Sequence, residues 1–148
     1  MTIALASDHG GFELKEAIKA HLEARGETVR DFGTHEKTSC DYPDFGLAAA
    51  RAVADHSCDR GILVCTTGIG ISIAANKIPG IRCALLHETT SARLTREHND
   101  ANMIALGGGF TGPLLAFEIV DVFLDTPFSG EEKHVRRINK ITEAEQSK

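Results

Sequence analysis

The sequence predicts an α/β/α sandwich, in which a mainly parallel five-stranded sheet is covered on both faces by helices. Short apolar runs alternate along the chain with longer segments whose apolar residues recur at helical spacing. Such alternation is typical of β-α-β crossovers, which join parallel strands. The short runs are largely apolar, as expected of parallel strands that are covered on both faces. The 148 residues suit one domain, and no linker, repeat or low-complexity tract divides them.

Five segments are predicted to be strands, and all but the second are short apolar runs bounded by glycine, proline or polar residues. In chain order they are Thr2–Ser7, Thr28–Phe32, Gly61–Cys65, Ile81–Leu86 and Met103–Leu106. Loops rich in glycine follow the first, third and fifth strands, at residues 8–11, 66–70 and 107–109. Parallel strands end at one edge of a sheet, where ligands bind in open α/β folds. These three loops are therefore expected to lie side by side and to form the site.

Helices are predicted between these strands and after the last one. The first helix has apolar residues at helical spacing from Phe12 to Leu22, and Arg25-Gly26 closes it. The others have apolar faces over residues 45–53, Ile71–Lys77, Ser91–His98 and Pro113–Phe123, and a charged terminal helix covers 131–148. Residues 1–148 are thus expected to form a single Rossmann-like domain.

The composition narrows the class of protein. The formal net charge of -5 argues against a general nucleic-acid-binding surface, and no apolar run is long enough to span a membrane. The amino terminus shows no basic segment followed by a cleavable apolar stretch, so a cytoplasmic protein is expected. The four cysteines, Cys40, Cys58, Cys65 and Cys83, contain no C-x-x-C pair, so neither a metal site nor a disulfide framework is expected.

The loop after the third strand is suited to an anion. Gly68-Ile69-Gly70 lies between a strand and a helix, where backbone N–H groups can hold a negatively charged group. A dinucleotide site is an alternative, because Glu88 follows Gly68 by 20 positions, near the end of the next strand. Against it, Ile73 stands where the dinucleotide fingerprint needs a small residue, and the glycines follow the third strand instead of the first.

Three positions could transfer protons, and each has a structural alternative. Cys65 directly precedes the anion-binding loop, where its thiolate could act as a base or nucleophile, but a cysteine at a strand end is often a small buried hydrophobe. His98 could exchange protons near neutral pH or could simply end a helix. Asp8 could orient the neighbouring His9, or the two could belong to an ordinary turn.

The terminal helix offers a second anion site. Lys133 and Arg137 are four positions apart and share one helical face, so they could clamp a phosphate. The alternative is a charged helix that is merely solvated.

Four motifs in these segments resemble the type B ribose-5-phosphate isomerases, in the family shared with galactose-6-phosphate and allose-6-phosphate isomerases. They are Ser-Asp-His-Gly-Gly at 7–11, Asp-Tyr-Pro-Asp at 41–44, Cys-Thr-Thr-Gly-Ile-Gly-Ile-Ser-Ile-Ala-Ala-Asn-Lys at 65–77, and Arg-Glu-His-Asn-Asp-Ala-Asn at 96–102. The resemblance implies interconversion of ribose 5-phosphate and ribulose 5-phosphate without metal or cofactor. It favours the chemical interpretation of Cys65, His98 and Asp8-His9 over the structural alternatives.

The resemblance also implies a role for each residue. Cys65 would take the C2 proton to form an enediolate, Thr67 would bond the sugar oxygens, and His98 with Asp8 would open the sugar ring. Substrate binding would fall to Asp8, His9, Thr66, Thr67, Gly68, Ile69, Gly70, Asn99, Lys133 and Arg137. Members of this family are dimers or tetramers whose sites use both chains.

The chain departs from the family pattern at three positions. Gly109 stands where an arginine usually helps to bind the substrate phosphate, Lys133 replaces an arginine, and Thr66 replaces a more common glycine. The identity of the sugar is therefore open. A six-carbon aldose 6-phosphate or free-sugar isomerase is the alternative within the family, and a noncatalytic nucleotide-binding module is the alternative from another class.

Overall fold

One parallel sheet forms the centre of the structure, a computed structural model that describes residues 1–147. Its five strands are β1 (Thr2–Ser7), β2 (Thr28–Asp31), β3 (Arg60–Cys65), β4 (Cys83–Leu85) and β5 (Met103–Gly107). Their order across the sheet is β2-β1-β3-β5-β4, and all four pairings are parallel. The predicted fold class is confirmed.

Helices cover both faces of the sheet. They are α1 (Phe12–Ala24), α2 (Tyr42–Ala54), α3 (Ile69–Ala75), α4 (Thr89–Asn99), α5 (Pro113–Asp125) and α6 (Glu132–Gln146). Helices α1, α4 and α5 pack on one face, where Ile18 and Phe123 are fully buried. Helices α2 and α3 pack on the other face through side chains such as Ala49 and Ile71. With both faces covered, β1, β3 and β5 are buried over nearly their whole length, which explains their continuous apolar sequences.

Helix α3 and strand β4 differ from their predicted bounds. Helix α3 begins at Ile69 instead of Ile71, because Gly68 takes a left-handed conformation with φ of 78° and caps the helix. Strand β4 has only 3 residues and starts after Arg82. The backbone N–H of Arg82 donates to the Asn102 side chain at 2.9 Å, so this part of the chain is paired with a loop.

The terminal helix α6 is the element least covered by the rest of the chain. It was expected over 131–148 and covers Glu132–Gln146, while Lys148 lies outside the described residues. Within that helix only His134 is buried. The helix is otherwise mostly exposed, but it also contacts the sandwich near its carboxyl-terminal end, where Glu145 accepts a hydrogen bond from the Gly80 N–H at 3.2 Å.

No helix in the described part of the chain has both the length and the apolar content needed to cross a membrane. The four cysteines are all free thiols. Cys58 is buried, and burial raises the pKa of Cys83 to about 12, which keeps that thiol protonated near neutral pH. Both are packing residues.

Candidate active site

The loops after β1, β3 and β5 meet at the carboxyl edge of the sheet, as the strand order requires. The backbone N–H groups of Gly108 and Gly109 donate to the carbonyls of Cys65 and Thr66, at 2.8 and 2.9 Å. The loop after β1 is equally close, because a Cβ added to Gly10 would lie 2.0 Å from Thr66 Oγ1. Small residues are therefore needed where the loops touch, and this explains their high glycine content.

Cys65 ends β3 at the centre of this edge. The side chain is buried, and its Sγ accepts a hydrogen bond from the backbone N–H of Gly68 at 3.1 Å. A donor directed at sulfur can stabilise negative charge there. The sequence allowed either a small buried hydrophobe or a reactive thiolate at Cys65. The structure fits both, since the side chain packs in the core and its sulfur has a polar partner.

The turn from β3 into α3 depends on Gly68. Its φ of 78° suits glycine, and an added Cβ would lie 2.6 Å from Leu85 Cδ1 and 2.9 Å from the Leu106 carbonyl carbon. Gly70 is also closely packed, because its Cβ would meet the ring of Tyr42 at 2.5 Å. Tyr42 therefore borders the loop after β3, and it lies in the motif at 41–44, although no role was predicted for it.

The two threonines of this loop have different surroundings. Thr66 is exposed, and its side chain occupies the space between Gly10 and Gly109. Thr67 is half-buried, and its Oγ1 accepts a hydrogen bond from the backbone N–H of Ile69 at 3.1 Å. Because that oxygen acts as an acceptor within the loop, the Thr67 hydroxyl proton can be donated to a ligand.

Asp8 and His9 follow β1 but do not form the expected pair. The buried Asp8 accepts a hydrogen bond from the backbone N–H of Gly11 at 3.0 Å and caps the short 3-10 turn His9–Gly11. His9 is exposed, and its Nδ1 accepts a hydrogen bond from the backbone N–H of Cys40 at 3.2 Å. His9 is thus oriented by the loop before α2 and not by Asp8. Asp8 instead stabilises the turn after β1, which is the structural alternative given for it above.

His98 and Asn99 lie at the opposite edge of the sheet. They end α4, and the chain then enters β5 from its amino end, where Asn102 accepts a hydrogen bond from Gly61 N–H at 3.0 Å. Cys65 is at the other end of β3. At about 3.3 Å per residue the two edges are roughly 15 Å apart. Within one chain, the predicted proton-transfer residues Cys65 and His98 are therefore not brought together.

His98 has an aromatic partner on α6. Its ring stacks on that of His134, with ring centroids 4.4 Å apart and an angle of 17° between the ring planes. Desolvation lowers the pKa of His134, and the nearby His98, Lys133 and Arg137 lower it further. The stack joins α6 to α4, and the sequence analysis did not identify His134.

The basic residues of α6 accompany this second group. Lys133 is exposed and lies 3.5 Å from the Glu131 carboxylate, and Arg137 is also exposed. The predicted site residues thus fall into two groups. The edge group contains Asp8, His9, Cys65, Thr66, Thr67, Gly68, Ile69 and Gly70, and the helix group contains His98, Asn99, Lys133 and Arg137.

Two cavities border these groups. A cleft of about 340 Å³ next to the edge group is lined by Glu13, Leu14 and residues 108–113. A cavity of about 530 Å³ lies between α6 and β4 and has Asn99 at its border. Its lining is mostly apolar and includes neither Cys65 nor His98.

The dinucleotide alternative is not favoured by the position of Glu88. Its carboxylate accepts hydrogen bonds from the backbone N–H groups of Thr90 and Ser91, at 2.6 and 2.8 Å, and so caps α4. These bonds, chiefly that with Ser91, hold the pKa of Glu88 below its ordinary value. Glu88 is therefore engaged by its own helix.

Comparison with known proteins agrees with this geometry. Residues 3–141 match the model of the Ribose/Galactose Isomerase family. The chain is 47% identical to the ribose-5-phosphate isomerase B of Escherichia coli, over 97% of this chain and 96% of the relative. It is 41% identical to the galactose-6-phosphate isomerase subunit LacB of Clostridium acetobutylicum, over 97% and 83% of the two chains.

Solved structures give the same result. The ribose-5-phosphate isomerase B of Clostridium thermocellum superposes with a TM-score of 0.97 at 53% identity, and 99% of each chain is covered. The Mycoplasma genitalium ribose-5-phosphate isomerase B with bound ribulose-5-phosphate superposes with a TM-score of 0.94 at 40% identity, over 99% and 97% of the chains.

Fold, site and relatives together define the class of this protein, which is an enzyme that isomerises sugar phosphates. The chain belongs to the Ribose/Galactose Isomerase family. The resemblance drawn from its four motifs is confirmed.

Proposed function

We propose that the enzyme interconverts ribose 5-phosphate and ribulose 5-phosphate through an enediolate, with Cys65 as the base. The observation that carries this proposal is the position of Cys65 Sγ, which lies at the carboxyl edge with the Gly68 N–H donor 3.1 Å away. Relatives named ribose-5-phosphate isomerase B support the choice of sugar, as does the neighbour that holds ribulose-5-phosphate.

The proposed chemistry is a proton transfer between adjacent carbons. The Cys65 thiolate takes the C2 proton of the open-chain aldose, the C2 electron pair forms the C1=C2 double bond, and the C1 carbonyl oxygen becomes negative. The Cys65 thiol then gives a proton to C1 while the C2 hydroxyl loses its proton to the C1 oxygen, which gives the ketose. The Thr67 hydroxyl and the N–H groups of the loop can donate to the oxygen on which charge develops.

A second copy of the chain would complete the site. Ring opening by His98 and phosphate binding by Lys133 and Arg137 require the helix group to face the edge group, and one chain holds them at opposite edges. Apolar side chains near the edge group are exposed, which is typical of a surface that another chain covers. They are Ile69, Ile73, Phe110 and Leu114. We therefore infer a homodimer, or a tetramer built from such dimers.

A six-carbon aldose 6-phosphate is the second candidate substrate. The 41% identity to a galactose-6-phosphate isomerase subunit favours it, as does Gly109 in place of the arginine expected there. A longer sugar would place its phosphate differently relative to the C1–C2 bond.

A kinetic panel tests the proposed substrate. Ketose formation is measured with ribose 5-phosphate, allose 6-phosphate, galactose 6-phosphate and the corresponding free sugars at equal concentrations. We expect the highest kcat/KM with ribose 5-phosphate and little turnover of free ribose. A higher kcat/KM with a six-carbon phosphate would replace the proposed substrate by the second candidate. Equal turnover of free ribose would show that the enzyme does not recognise the phosphate.

A further inference from the structure

His9 is held by a hydrogen bond from a distant part of the chain. Its Nδ1 accepts from the backbone N–H of Cys40 at 3.2 Å, across 31 positions of sequence. A ring nitrogen that accepts a hydrogen bond carries no proton of its own. The proton of the neutral imidazole must then reside on Nε2.

The loop that supplies this N–H, residues 32–41, is anchored at its base. The side chain of Lys15 is fully buried and donates to both carboxylate oxygens of Asp31 at 2.8 Å and to the Thr34 carbonyl at 2.7 Å. A buried ammonium requires such partners, so these three bonds hold the start of the loop against α1. Ser7 adds two backbone hydrogen bonds of 2.6 Å between β1 and the loop.

The other end of the loop continues directly into α2. Asp41 is the N-cap of α2, and it directly follows Cys40. The amide of Cys40 therefore lies in the chain between the Lys15 anchor and the start of α2. The Cys40 thiol also approaches this nitrogen, with Sγ 3.9 Å from Nδ1, but the backbone N–H at 3.2 Å is the closer group and the stronger donor.

We propose that His9 serves the substrate as a neutral hydrogen-bond donor through Nε2–H, and that the backbone amide of Cys40 is the positioning group that enforces this tautomer. The inference rests on the proposed function, because it assigns His9 a role toward a sugar phosphate. His9 is exposed at the same sheet edge as Cys65. With Nδ1 occupied, the ring presents an N–H to an oxygen atom of the substrate and is not a proton acceptor in the reaction.

The tautomer can be read without any assay of activity. Nitrogen-15 and proton NMR of the labelled full-length protein at pH 8 distinguishes the two ring nitrogens of His9. We expect the Nε2–H pattern in the parent and in Cys40→Ala, which keeps the amide and removes the thiol. Cys40→Pro removes the N–H, and we expect it to give a mixture of tautomers. A parent protein whose His9 carries its proton on Nδ1 overturns the proposal, as does an unchanged Nε2–H pattern in folded Cys40→Pro.

Paired substitutions of His9 test the donor role by kinetics. Glutamine can place an amide N–H near the position of Nε2, whereas asparagine places its amide near that of Nδ1. We expect His9→Gln to keep a KM within about threefold of the parent, and His9→Asn to raise KM by roughly tenfold with a smaller change in kcat, as for one lost hydrogen bond. Equal effects of both variants, or a better His9→Asn, contradict donation from Nε2.

The two proposals fail in different ways. A parent protein that isomerises none of the sugar phosphates refutes the proposed function, while the NMR pattern of His9 still decides the tautomer. An active parent with the Nδ1–H tautomer refutes only the role of Cys40 and the donor role of His9.

Discussion

Cys65 shows how one residue can be both a core residue and a candidate base. The side chain is 4% exposed and packs with α2 and α3, which would suit an inert thiol. Its sulfur also receives the Gly68 N–H at 3.1 Å, a contact that a purely apolar position would not offer. The sequence places Cys65 correctly at the end of β3, but it does not reveal this hydrogen bond, because the bond depends on the left-handed conformation of Gly68.

Substitution of Cys65 separates catalysis from folding. We expect Cys65→Ala to fold and bind substrate while C2 proton exchange falls by roughly 10²- to 10⁴-fold, the usual contribution of a general base. Exchange of the C2 proton with deuterated solvent, followed by proton NMR, measures this directly. Cys83→Ala removes a partly buried thiol away from the edge group and should keep parent exchange rates. Undiminished exchange in Cys65→Ala would show that another group is the base.

Gly109 permits a test of phosphate binding by substitution of a single residue. A Cβ at this position would lie 3.1 Å from the Thr66 carbonyl oxygen and 3.2 Å from Thr66 Cγ2, so an arginine requires a small shift of the loop. We expect Gly109→Arg to lower the KM for ribose 5-phosphate with little change in kcat. The double variant with Thr66→Gly, which removes the methyl contact, should lower KM further, by roughly ten- to a hundredfold in all.

An uncharged variant controls for the size of the arginine side chain. Gly109→Gln adds bulk without charge and should not lower KM, because the expected gain comes from a charge-assisted bond to phosphate. If both arginine variants leave KM unchanged or raise it, the loop after β5 does not face the phosphate.

The turn between β3 and α3 depends on a backbone conformation that favours glycine. Gly68→Ala should destabilise the protein by roughly 1–3 kcal/mol, because a left-handed φ is combined with close contacts to Leu85 and Leu106. Gly26 is a matched control, since its φ of 86° is similar but no atom lies within 4 Å of an added Cβ. Urea unfolding should show a smaller loss for Gly26→Ala. Equal losses would mean that the packing around Gly68 adds nothing.

Docking of α6 on α4 should depend on pH through His134. Desolvation and the neighbouring His98 lower the pKa of His134 from its ordinary value of 6.5. Below pH 6.5 the unfolded chain binds a proton at this position that the folded chain resists, so stability falls as pH decreases through that range and is regained above it. Urea midpoints at pH 7.5 and 5.5 should differ less in His134→Gln than in the parent or in exposed His87→Gln. The same pH difference in all three proteins would contradict the assignment.

Secondary structure could be predicted from periodicity because most elements are strongly patterned, and the misplaced starts of α3 and β4 depend on a glycine conformation and on a contact between distant segments. The start of α3 follows from the conformation of Gly68, and the late start of β4 follows from the pairing of Arg82 with Asn102. The contact between Cys40 and His9 is of the same kind, because it joins a loop and a turn 31 positions apart. The stack of His98 on His134 likewise connects two helices whose docking no local pattern specifies.

For the whole molecule, strand and helix order explains why the site residues form two groups. Residues that follow a strand lie at the carboxyl edge of a parallel sheet, and residues that end a helix before a strand lie at the amino edge. Cys65 belongs to the first kind and His98 to the second. The separation of the edge group from the helix group within one chain therefore follows from the order of strands and helices in the sequence. The relative placement of two chains is a property of surfaces and could not be read from periodicity.

A mixture of two inactive chains tests whether the site is shared between copies. Cys65→Ala disables the edge group and His98→Asn disables the helix group. If each site takes one group from each of two chains, a mixed dimer contains one site with both groups intact. Random pairing during co-expression makes half of the dimers mixed, so about a quarter of the parent activity should return.

Two different affinity tags allow the mixed dimers to be isolated, and light scattering gives their mass. Cys65→Ala paired with the double variant Cys65→Ala/His98→Asn contains no intact site in any arrangement and should stay inactive. Isolated mixed dimers that are no more active than the single variants would place both groups in one chain and would require a rearrangement of α4 and α6 toward the carboxyl edge.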